Sequence, residues 1–152
     1  MAADIRIVTY DPTYAEETVH MWRKSKEDAI GQAELHTFED QVHFLNNVLS
    51  VDNEIYLAID ASTNNVAGML ACNQTEINQL YIHTDYQGKG LGARLLEIAK
   101  SNSGGTLTLY TFEINHKAQQ FYEKHGFKVI GRGYENEENL ADVKYQWRME
   151  HR

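Results

Sequence analysis

The residues whose spacing carries the most chemistry are Gln87-Gly88-Lys89-Gly90-Leu91-Gly92-Ala93-Arg94. Three glycines stand at alternate positions, just before an amphipathic run with Leu91, Leu95, Ile98 and Ala99 on one stripe. Such a turn can aim several backbone N–H groups at one point. The first turn of the following helix adds its own unpaired N–H groups, which together make a nest for phosphate. Lys89 and Arg94 can add charge. A bound diphosphate is the expectation. A Walker loop needs Ser or Thr after Gly-Lys, and here Gly90 follows Lys89. The dinucleotide pattern Gly-x-Gly-x-x-Gly/Ala is matched by Gly88, Gly90 and Ala93, and Glu113 stands where a ribose-binding acid could be. A nucleotide-dependent oxidoreductase is therefore a rival reading. Against it, five residues separate Ile82 from Gly88, and the roughly 60 residues after the loop are few for a second mononucleotide half.

A second constellation is Asn115, Ala118 and Tyr122, at i, i+3 and i+7, which puts them on one helical face. Ala118 is small enough to admit a ligand. Phe121 points about 100° away, toward a core. Other reactive residue types read as packing. The one cysteine, Cys72, lies in an apolar run, which excludes a disulfide framework or zinc cluster. His20, His36, His43, His116, His125 and His151 show no metal-ligand spacing. No metal is expected.

The elements that must position these groups follow from periodicity. Ile5 and Ile7 start a strand. Ala15, Val19 and Trp22 mark a helix after Pro12. Thr37-Phe38-Glu39-Asp40 has the capping-box form and opens a helix striped by Phe38, Val42, Leu45 and Leu49. Apolar runs at 55–59 and 66–72 flank a polar turn and predict a hairpin. A strand at 77–82 leads to the glycine loop and its helix. Gly104-Gly105 breaks the chain before a strand at 107–112. A helix from about 115 to 124 stops at Gly126. Strands follow from Phe127 and through Val143, Tyr145, Trp147 and Met149. The order β-α-α-β-β-β-α-β-α-β-β predicts an α/β (α+β) fold: a mixed, mostly antiparallel sheet flanked by helices, with residues 77–82 and 107–112 parallel.

Two stretches resemble a known family. Leu80-Tyr81-Ile82-His83-Thr84-Asp85-Tyr86-Gln87-Gly88-Lys89-Gly90-Leu91-Gly92 is similar to motif A of the GNAT superfamily of N-acetyltransferases. Its signature, Gln/Arg-x-x-Gly-x-Gly/Ala, is met by Gln87, Gly90 and Gly92. Thr84 stands where that family commonly has proline. Residues from Asn115 through Ala118 and Phe121-Tyr122-Glu123 to Gly126-Phe127 resemble motif B. The element order agrees from end to end, so the resemblance covers nearly the whole chain.

The resemblance implies acetyl-CoA as donor. It implies that Gln87, Gly88, Lys89, Gly90, Leu91, Gly92 and Ala93 cradle its pyrophosphate. The strand Leu80, Tyr81, Ile82 would splay from its parallel neighbour and pair with the pantetheine arm. Asn115 would contact that arm, and Tyr122 would protonate the departing thiolate. An amine would attack the thioester directly, with the Leu80 N–H stabilising the oxyanion. Glu76 is the candidate base for the amine, with Glu113 and His83 behind it. The acceptor, a small-molecule or peptide amine, would meet the first two helices and the last loop. Those carry Trp22, Ser25, His36, Phe38, Tyr134 and the acidic residues 135–138. Trp22 and Phe38 line a pocket or pack in the core. A non-catalytic acyl-CoA sensor is the alternative.

Composition bounds the rest. The chain has 152 residues, with 14 Lys+Arg against 22 Asp+Glu, a net charge of −8. One domain over 1–152 is expected. The charge suits neither nucleic acid nor an anionic membrane. The longest apolar run, seven residues at 66–72, is too short to span a bilayer, and the N-terminus lacks a secretory pattern. A cytoplasmic monomer or homodimer is the expectation.

Overall fold

The computed structural model describes residues 4–150. Strand β1 (Ile5–Thr9) leads through a tight turn at Pro12–Tyr14 into helix α1 (Ala15–Ile30), which Gly31 ends in a left-handed conformation. Helix α2 (Phe38–Phe44) is capped by Thr37, whose hydroxyl accepts from the Asp40 N–H, as the capping form predicts. The helix then widens into a π-helical stretch, Leu45–Leu49, before the short α3 (Ser50–Asp52). Nothing in the apolar spacing foretold that widening.

Strands β2 (Glu54–Asp60) and β3 (Asn65–Cys72) form the expected hairpin, followed by β4 (Ile77–Ile82). Helix α4 (Leu91–Asn102), β5 (Thr106–Phe112), α5 (His116–Lys124), β6 (Lys128–Gly133) and β7 (Asp142–Arg148) complete the chain. These are the elements that the sequence predicts, in the predicted order.

The strands divide into two antiparallel sheets, β1-β2-β3-β4 and β5-β7-β6. Strands β4 and β5 run parallel but meet at one bridge, Glu76 with Thr108. There the Thr108 N–H donates to the Thr75 carbonyl at 3.0 Å, and the Gly104 N–H to that of Gln74 at 3.0 Å. Beyond this closed end the strands part into a V.

Alternation along β3 and β4, interrupted by a register shift beside Ile77, builds two cores. Leu70, Ile77, Leu80 and Ile82 face α4 and α5, with Leu95, Tyr122, Phe127 and Tyr145. Met69, Ala71 and Tyr81 face α1 and α2, with Val19, Trp22, Leu45 and Leu49. Trp22 is 5% exposed and Phe38 packs against the same cluster, so both are core residues rather than pocket walls. Cys72 is buried as well, and burial raises its thiol to about 11. No helix among the described residues is long and apolar enough to cross a membrane.

Candidate active site

The V opens onto a cleft of about 890 Å³. One wall is the end of β4, where Leu80, Tyr81 and Ile82 line it. The glycine loop and the start of α4 form the rim, through Gln87, Gly88, Gly90, Leu91, Gly92 and Ala93. The opposite wall is α5, with Asn115, Ala118 and Tyr122 on it. Three sequence-predicted groups, Lys89, Arg94 and Glu76, do not line it. The Lys89 ammonium stands 5.7 Å from the Tyr86 ring centre, and Glu76 sits at the closed end of the V. Glu76 precedes Ile77, where the β3–β4 register shifts.

The loop has the conformation that its glycines allow. Gly88 and Gly90 have φ of 77° and 79°, a left-handed region that costs an L-residue roughly 1–2 kcal/mol. A Cβ at either would meet nothing within 4 Å, so the space in front of the loop is open. Gly92 is small for another reason: a Cβ there would lie 3.3 Å from the Phe121 ring, so α5 rests on the first turn of α4. The Gln87 side chain ties the loop down by donating to the Ile82 carbonyl at 3.1 Å.

That bond also reports which way the β4 backbone faces. The His83 N–H donates back to the Ala67 carbonyl of β3 at 2.8 Å. Backbone groups alternate sides along an antiparallel strand. The N–H groups of Leu80 and Ile82 therefore face away from β3, into the open V. Gly68 makes this edge possible: its virtual Cβ would lie 2.8 Å from Ile82 Cδ1 and 3.1 Å from the Tyr81 carbonyl oxygen. The sequence reading did not single out Gly68.

Tyr122 is 7% exposed and lines the cleft, and its hydroxyl makes no side-chain hydrogen bond among the described residues. Its ring is fixed by Phe121, Phe127 and Tyr145, at centroid distances of 5.3, 5.4 and 6.2 Å. Burial, then the nearby Tyr81, pushes the phenol well above its ordinary value. Tyr122 is a held, protonated donor at neutral pH. Asn115 caps α5: its carboxamide oxygen accepts from the Ala118 N–H at 3.2 Å, which leaves its NH₂ for another partner. The weaker base candidates are committed elsewhere. His83 Nδ1 accepts from the Asp85 N–H, and Glu113 faces Arg132 at 3.8 Å.

Helix α1 supplies a third side of the cleft, through Ser25, Asp28 and Ala29. Asp28 accepts from Lys24 at 3.1 Å and from the Thr84 hydroxyl at 2.9 Å, and these bonds hold its carboxyl below the usual range. Thr84 thus links α1 to the approach to the glycine loop, a bond that proline could not make.

On the Tyr81 side, the α1–α2 connection meets the β6–β7 loop. Lys26 lies between Glu34 at 3.3 Å and Glu138 at 2.6 Å, all three largely shielded. His36 pairs with Glu137 at 2.5 Å, and that bond raises the imidazole above its ordinary value. Burial, then Glu138 and Glu34, pushes the Tyr81 phenol up. No group of three or more metal-ligating side chains occurs among the described residues.

The acetyltransferase (GNAT) domain family matches residues 51–129. The chain belongs to this family. A peptidyl-lysine N-acetyltransferase, YjaB of Salmonella typhimurium, is 30% identical over 117 residues, covering 77% of this chain and 79% of its own. The apo solution structure of Escherichia coli YjaB superposes with a TM-score of 0.72 at 25% identity, over 97% of this chain and 99% of that one. The Salmonella yncA structure with its cofactor acetyl-CoA reaches 0.71 at 14% identity, over 99% and 96%. The protein is an N-acetyltransferase of the GNAT superfamily, and its fold is the one these structures share.

Proposed function

We propose that this acetyltransferase moves the acetyl group of acetyl-CoA directly to the side-chain amine of a peptidyl lysine. The observation that carries the reading is the V between β4 and β5. Its open edge, the glycine loop and the Tyr122 phenol converge on one cleft. The open space before Gly88 and Gly90 fits a pyrophosphate received by backbone N–H groups. The free edge of β4 suits the amide-bearing pantetheine arm as an added strand. Asn115 offers its NH₂ to the same arm.

Acetyl-CoA supplies an activated thioester. The N–H of Leu80, facing the V, stabilises the oxyanion that develops on its carbonyl. Tyr122 donates its proton to the departing sulfur. The acceptor approaches from the Tyr81 face, between the α1–α2 connection and the β6–β7 loop. The lysine arrives as an ammonium and must lose a proton before it can attack. Glu76, at the closed end of the V, takes that proton through water. The peptidyl-lysine class rests on the similarity to YjaB. The excess negative charge around Lys26, Glu34 and Glu138 favours a cationic acceptor there.

The test is thiol release from acetyl-CoA with three acceptor sets: peptides with an internal lysine and blocked N-terminus, peptides with a free N-terminus and no lysine, and small polyamines. Selective turnover of the first set supports the reading. Turnover confined to either of the others removes the lysine assignment. No turnover with any set, despite acetyl-CoA binding, removes the catalytic one.

A further inference from the structure

The donor nucleotide carries two separate anions: a pyrophosphate and, on the ribose, a 3′-phosphate monoester. The glycine loop accounts for one. The second needs a partner in a protein whose net charge of −8 repels anions overall. Local cations must supply it.

The side chains lining the cleft contain two lysines, Lys117 and Lys124, both on α5. They stand seven residues apart with Phe121 between them, so all three share one helical face. Phe121 is the residue that rests on Gly92. That contact sets the lysine-bearing face against the rim of the glycine loop. Neither lysine has a carboxylate within 4.0 Å among the described residues, and neither donates a recorded hydrogen bond. The cleft's own carboxylate, Asp28, is already taken by Lys24 and Thr84. Lys117 also lies in the first turn of α5, where the helix dipole favours an anion. His125 stacks on Phe121 at 4.7 Å, and burial, then Lys100 and Lys124, holds its imidazole below the ordinary value. The face therefore presents two ammonium groups and a neutral imidazole around an aromatic ring. That is the chemistry of a nucleotide's ribose phosphate: cations for a monoester of charge near −2, and an apolar surface beside them.

We propose that Lys117 and Lys124 bind the 3′-phosphate of the donor nucleotide, apart from the pyrophosphate nest. The inference rests on the acetyl-CoA reading above. Its test compares CoA with dephospho-CoA, which lacks only that phosphate. Calorimetry at low salt should give the unaltered protein at least about a tenfold preference for CoA, from two charge-assisted contacts. Lys117→Gln with Lys124→Gln should bring CoA down to the dephospho-CoA affinity while changing the latter less than about threefold. Both lysines are exposed, so the fold should be kept, and thermal melting checks this. Equal affinity of the unaltered protein for the two ligands overturns the proposal. So does a preference that survives the double substitution, or an equal loss for both ligands, which would move the lysines to the pyrophosphate. Binding of neither ligand overturns the acetyl-CoA reading itself.

Discussion

Tyr122→Phe removes one oxygen from a ring held on three sides. Its ring packs on Phe121, Phe127 and Tyr145, and the hydroxyl gives up no side-chain hydrogen bond among the described residues. Stability should therefore change by less than about 0.5 kcal/mol, a Tm shift of roughly 2 °C or less for a domain of this size. CoA affinity should move less than about threefold, since the loop and the β4 edge provide it. Turnover is a different matter. A positioned general acid contributes roughly 10²–10⁴-fold, equivalent to about 2.7–5.5 kcal/mol of barrier. Because the Tyr122 phenol is raised above its ordinary value, it stays protonated at least to about pH 10. The unaltered enzyme should then show no alkaline fall in kcat from this residue below that pH. The assay is steady-state thiol release on the best lysine peptide, beside calorimetric CoA binding and a melt. Equal turnover in both proteins would take Tyr122 out of the mechanism. A large fall in Tm would show that its hydroxyl is structural and refute the reasoning from its missing partner.

Other residues give separate readings. Gly90→Ala adds a Cβ into open space but forces an L-residue to φ near 79°, so stability should fall by about 1–2 kcal/mol and CoA affinity by tenfold or more; unchanged calorimetric affinity would remove the phosphate nest. Gly68→Ala should cost about 1–3 kcal/mol by pressing on Ile82 and the Tyr81 carbonyl, and turnover should drop with it; a melt within 1 °C of the parent would deny the tight β3–β4 approach. Glu76→Gln should lower turnover and move the pH–rate optimum upward, toward the range where the lysine is already neutral, with little change in acetyl-CoA affinity. An unaltered profile would leave another acceptor for the proton.

The sequence reading succeeded where a signal is local. The β2–β3 hairpin, the Thr37 cap and the α5 face carrying Asn115, Ala118 and Tyr122 each follow from residues a few positions apart. The parallel relation of β4 and β5 was legible from the connection between them. The parting of these strands came from the resemblance, since spacing carries no trace of it. What stayed hidden depends on side-chain direction or on distant contacts. Lys89 could have faced the loop's ligand, yet it turns to Tyr86. Asn115 spends its oxygen on a helix cap. The contribution of Asp28 needs α1 to pack beside Thr84, 56 residues away. Lys117 and Lys124 did carry a local signal, their seven-residue spacing on either side of Phe121. It gains meaning only when Gly92 brings that face to the loop.

Lys26 sits between carboxylates from two segments, and its bond to Glu138 joins residues 112 apart in the chain. The rim formed by the α1–α2 connection and the β6–β7 loop is therefore written in two places at once. Exchanging the β6–β7 loop with that of a relative would leave Lys26 with Glu34 alone, and exchanging residues 26–34 would leave Glu138 without its ammonium, at a shielded spot where an unpaired charge is costly. Loop grafting or recombination with a breakpoint between 34 and 138 would yield poorly folded rims even when each donor segment is sound. Natural changes of acceptor preference in this lineage would then travel as coordinated substitutions at 26, 34 and 138, and a library that varies these positions together should keep more folded members than one that varies them singly.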